Sequence, residues 1–124
     1  MTSKNPAVVK VLQDAKELIK KGWTKKAYAR DLAGKVVDPW SHAAVCWCAR
    51  GAIMKAAGLT SFCCSEVKYH IAVMASQAIS MAAQGEGEAS LNRIITANDD
   101  AFKAETVLVY FDKAITIAEE RMLP

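Results

Sequence analysis

Between Ser41 and Gly58 the chain reads Ser-His-Ala-Ala-Val-Cys-Trp-Cys-Ala-Arg-Gly-Ala-Ile-Met-Lys-Ala-Ala-Gly, apolar on nearly every side once wound as a helix. A helix with almost no polar face has to be enclosed by other segments. Ser41 suits an N-cap, Gly58 suits the left-handed position beyond a C-terminus, and Pro39 keeps Asp38 extended. The spacing therefore predicts a central helix over about 41–57, with Trp40 packing on Val45 as a staple at its entry. Cys48, Gly51 and Ala52 are small enough to admit a neighbouring helix. Gly51 costs about 1 kcal/mol against alanine in a helix interior, which implies a packing reason for it.

The remaining segments read as the cover. Asn5-Pro6 opens an amphipathic helix through Val8, Val11, Leu12, Ala15, Leu18 and Ile19 that stops at Gly22. Trp23 then folds back on its last turn. Thr24 caps a shorter helix using Tyr28, Ala29 and Leu32 up to Gly34, and Val36-Val37 form an extended connection. Thr60, Ser61 and Ser65 are alternative caps for a long helix with a stripe of Val67, Ile71, Met74, Ala75, Ala78 and Ala82. Ser90 caps a short helix with Leu91, Ile94 and Ile95. The last helix is the most regular, with Ala104, Val107, Leu108, Phe111, Ala114, Ile115, Ala118 and Met122 on one face. No segment alternates with a period of two, so no sheet is expected. The fold class is all-α, one domain over residues 1–124, with five or six helices around the buried central one.

At 13.4 kDa one core is the expectation. No run reaches the roughly 18 apolar residues of a membrane helix, and the first residues lack the apolar core of a signal peptide. These features imply a soluble cytoplasmic protein with no membrane partner. Four cysteines in two tight pairs, Cys46 with Cys48 and Cys63 with Cys64, do not form a spaced disulfide framework. Reduced thiols are expected, one bridge between the pairs being the alternative. The net charge of +3 is unevenly spread: residues 1–40 hold nine Lys/Arg against four Asp/Glu, and residues 85–124 hold four against eight. The basic front fits an acidic partner.

Trp47-Cys48-Ala49-Arg50-Gly51-Ala52, followed later by Asn98-Asp99, Val107 and Ala114, resembles an uncharacterised bacterial and phage domain family of unknown function. Its pattern is a Trp-Cys-x-x-Gly-Ala helix and an Asn-Asp turn before the final helix. Trp23, Gly34 and Ala44 also fit, while Ala97 stands where that family commonly has an aromatic residue. The resemblance spans most of the chain and implies no reaction.

The chemistry divides into three readings. The first is a non-catalytic intracellular binding protein that meets an unidentified protein partner through Lys20, Lys21, Lys25, Lys26 and Arg30. The second is a small cysteine-dependent enzyme: on a helix, His42 lies four residues before Cys46 and Arg50 four after, and positive neighbours lower a thiol pKa. No segment supplies an oxyanion hole or an orienting third group, so the packing role of the thiol is favoured. The third is a weak nucleic-acid binder through the basic front. It is disfavoured because the stretch from Gly34 to Ser41 is too long for a helix-turn-helix turn. No metal or cofactor is expected, since Cys46 and Cys48 would point about 200° apart on a helix. Trp23, Trp47, Cys48, Gly51, Ala52, Asn98 and Asp99 are read as structural. Asn98 or Asp99 is expected to accept from a Trp indole or from the amides opening the last helix. Val109 and Tyr110 widen that helix's apolar face and allow a homodimer.

Overall fold

The computed structural model describes residues 5–61, 67–84, 98–99 and 103–121. The elements in order are α1 (Pro6–Lys21), β1 (Ala29–Arg30), β2 (Cys46–Trp47), α2 (Ala49–Ala56), α3 (Val67–Gln84) and α4 (Ala104–Glu120). The protein is mainly helical, and the described residues hold four helices rather than five or six. The short helix expected from Ser90, the cap Ser65, Cys63, Cys64 and Met122 lie outside the described residues.

α1 forms as its sequence dictates, with Pro6 in the first turn and Val8, Val9, Val11, Leu12, Ala15 and Ile19 buried. Asn5 does not cap it. Its side-chain amide instead donates to the carbonyls of Ala118 and Arg121, tying the start of α1 to the end of α4. α4 buries Val107, Phe111, Ala114 and Ala118, a regular three-four stripe. α1 packs on α4, α2 and α3, and α3 packs on α4. The buried face of α3 is Ala72, Ala75, Ser76, Ala78, Ile79 and Ser80, whose small size admits close helix approach. Val67, expected to head that stripe, is 73% exposed.

The expected central helix is corrected by half its length. α2 begins only at Ala49, with Cys48 as its N-cap, while Cys46 and Trp47 pair antiparallel with Arg30 and Ala29. Ser41 serves a turn, its hydroxyl accepting from the Ala43 amide at 3.1 Å. A short apolar run is ambiguous between helix and strand. Here the ladder decides: the Val45 amide bonds the Arg30 carbonyl, and the Trp47 amide bonds the Gly22 carbonyl. Trp40 therefore staples no helix, and the Trp47 indole donates to the Pro39 carbonyl at 3.0 Å. The C-terminal expectation holds: Gly58 sits at φ +82 after Ala57.

The helix expected from Thr24 to Gly34 is likewise replaced. Asp31 accepts from the Ala33 and Lys35 amides through its carboxylate, an Asx turn that competes with helix, and Gly34 closes it at φ +85. β1 then has Val36 bridged to Arg30 on its other side, and the Val37 amide reaches the Ala29 carbonyl. Val36-Val37 is thus the extended pair that the sequence implies. Leu32, assigned to a helix face by its spacing, stands 90% exposed at the turn.

Candidate ligand cleft

Gly51 is the reason the small sheet and α2 can meet. A Cβ built on it would lie 2.0 Å from the Tyr28 carbonyl oxygen. That carbonyl accepts the Cys48 amide at 3.1 Å, so β1 is threaded against the start of α2 by backbone alone. The close approach is to a strand end, not to the neighbouring helix anticipated from Gly51.

Asn98 closes the junction from the other side and is 1% exposed. Its Oδ1 accepts the Trp23 indole N–H at 2.8 Å and the Ala49 amide at 2.9 Å, while its Nδ2 donates to the Thr24 carbonyl at 3.1 Å. The expected indole bond is present, although the amide served opens α2 rather than the last helix. Asp99 beside it accepts the Lys26 backbone N–H at 2.8 Å through Oδ1. This bond holds Lys26 at φ 62, the left-handed region that residues with a Cβ rarely adopt.

Between these parts lies an open cleft of about 370 Å³ lined by Lys26, Ala27, Tyr28, Val36, Cys48 and Asp99. Its volume falls at the lower end of small-molecule sites, about 300–1,000 Å³. Tyr28, Ala27 and Val36 carry no sequence signal for this role, because Tyr28 and Ala27 fall in a segment with helical spacing and Val36 in a connection.

Cys48 forms part of the cleft wall and is 4% exposed. Its Sγ accepts the Gly51 amide at 3.3 Å, as an N-cap does. Burial pushes the thiol from its ordinary 9.0 up to about 11, against the lowering effect of the Gly51 and Arg50 amides; the Asp99 charge raises it further. The group is therefore a neutral thiol at physiological pH. Because its folded pKa lies above the unfolded one, its contribution to stability is full below about pH 9 and is lost as pH rises toward 11. The unfolding free energy of the wild type minus that of Cys48→Ser, from urea titrations, is expected to fall by about 2–3 kcal/mol over that window. A flat difference would contradict the buried neutral thiol.

The other anticipated residues are dispersed. His42 lies in the turn after Ser41 and Cys46 on β2, so the helical spacing that grouped them with Arg50 does not exist. Cys46 and Cys48 are both free thiols. Lys20 pairs with Glu17, and Lys21 ends α1. The Lys25 ammonium rests 5.5 Å from the Trp23 ring centre. Arg30 is spent on its own loop, donating to Thr24 Oγ1, the Gly34 carbonyl and the Lys25 carbonyl. Only Lys26 of the basic set lines the cleft. Val109 is exposed on α4, and Tyr110 packs partly against the core. Among the described residues no helix is long and apolar enough to cross a membrane.

Fold and site together define a small, mainly helical protein with a two-stranded sheet and a shallow, largely apolar cleft at the sheet–helix junction. The chain belongs to a family of unknown function (DUF6197), which matches residues 3–117. No curated protein and no solved structure matches it.

Proposed function

We propose that the protein is a non-catalytic binding protein whose site is the cleft lined by Lys26, Ala27, Tyr28, Val36, Cys48 and Asp99. The observation that carries this reading is the convergence on one junction of Trp23, Cys48, Gly51, Asn98 and Asp99. Asn98 and Gly51 are consumed in building the walls, and Cys48 and Asp99 face the space so formed. Rigid backing of this kind lowers the ordering cost of binding. The non-catalytic reading is supported by the separation of His42, in a turn, from Cys46, on β2, so that the helical grouping proposed for a cysteine enzyme is not formed. The basic surface enters through Lys26, which lines the cleft and favours a ligand with an acidic group, whereas Lys25 rests on the Trp23 ring and Arg30 stabilises the loop.

A fragment library titrated into ¹⁵N-labelled protein tests the proposal. Amide shifts are expected to group on 26–28, 36, 48 and 99 and to vanish in Val36→Trp, a substitution at a position already 57% exposed. Shifts that group elsewhere, or that survive this substitution, would sink the assignment. An activity of the wild type that is lost in Cys46→Ser would argue for the cysteine enzyme instead.

A further inference from the structure

The cleft rim holds two opposite charges that do not satisfy one another. The Lys26 backbone is bonded to Asp99 Oδ1, yet among the described residues no ion pair joins the Lys26 ammonium to the Asp99 carboxylate. Asp99 Oδ1 takes the Lys26 amide and the Asn98 side-chain amide, and Oδ2 accepts no hydrogen bond among the described residues. The rest of the lining is Ala27, Tyr28, Val36 and Cys48.

Singly charged ligands fit this arrangement poorly. A bare amine would be brought against Lys26, and a bare carboxylate against Asp99. We infer that the cleft binds a small zwitterion with an apolar body, its ammonium on Asp99 Oδ2 and its carboxylate at Lys26. A free amino acid with a branched aliphatic side chain is the simplest molecule of this class. The volume suits one such molecule, and the neutral wall accepts its side chain without desolvating a charge. The inference rests on the cleft being the binding site.

Three probes separate the terms: L-leucine, 3-methylbutylamine, which lacks the carboxylate, and 4-methylpentanoate, which lacks the amine. In titrations of the labelled full chain, leucine is expected to shift the amides of 26, 27, 48 and 99 saturably. Each one-ended probe is expected to bind about tenfold more weakly or worse, the worth of one charge-assisted hydrogen bond. Asp99→Asn keeps an acceptor for the Lys26 amide. It is expected to weaken leucine about tenfold while tightening 4-methylpentanoate, which no longer meets a like charge; Lys26→Gln should likewise weaken leucine and tighten 3-methylbutylamine. Equal binding of leucine and either analogue would overturn the zwitterion, as would a lack of response to all three while other fragments still shift the cleft. Fragment shifts confined to other surfaces would instead overturn the cleft itself.

Discussion

Asn98→Ala is expected to lower the unfolding free energy by about 4 kcal/mol, as measured by urea titration with tryptophan fluorescence. One buried side chain serves the Trp23 indole, the Ala49 amide and the Thr24 carbonyl at 2.8, 2.9 and 3.1 Å. Alanine leaves two donors and one acceptor without a partner in a region that is 1% exposed at this residue. Each orphaned buried group costs about 1–3 kcal/mol, and water entering the vacated space offsets part of the sum. The same substitution should move the Trp23 indole proton resonance upfield, because the Asn98 acceptor is removed. A loss below about 1 kcal/mol would mean that the junction is held by apolar packing and that Asn98 is incidental to it.

That junction was half legible in the sequence. The Trp indole bond to Asn98 follows from residue type alone, since a buried indole needs one acceptor and an Asn side chain can serve it. α1 and α4 were legible because each has one wet face, so the 3.6-residue period survives in the pattern of side chains. The stretch from Ser41 to Cys48 was not, because apolar residues on every side erase the period that separates helix from strand. Its partner Ala29–Arg30 lies 16 to 18 residues earlier, and no local signal announces such a pairing. Asp31 carried a usable hint: an Asp three residues before Gly34 is a turn former, yet the helical spacing of Tyr28, Ala29 and Leu32 outweighed it. The cleft was the least legible part, because Tyr28, Val36, Cys48 and Asp99 are distant in sequence and meet only once that unsignalled pairing forms.

Gly51→Ala tests the same pairing from the opposite side, and the sign of its effect is the informative quantity. In an ordinary helix interior the substitution stabilises by about 1 kcal/mol, through propensity and a less flexible unfolded chain. Here the new Cβ would stand 2.0 Å from the Tyr28 carbonyl oxygen and 2.8 Å from its carbon. Both obstacles are backbone, so no side-chain rotation relieves them, and the Tyr28 carbonyl is itself bonded to the Cys48 amide. Either β1 withdraws or α2 shifts along its axis, and overpacking of this kind costs about 3 kcal/mol net. Gly34→Ala separates this clash from the general cost of losing a glycine, since its Cβ meets nothing within 4 Å and carries only the strain of φ +85. That strain is worth about 1–2 kcal/mol. Because Tyr28 lines the cleft, Gly51→Ala at a temperature where the protein remains folded should also weaken every ligand of the cleft, whereas Gly34→Ala should leave them alone. A stabilising Gly51→Ala would mean that Tyr28 does not lie against α2, and the cleft would lose its wall along with the strand.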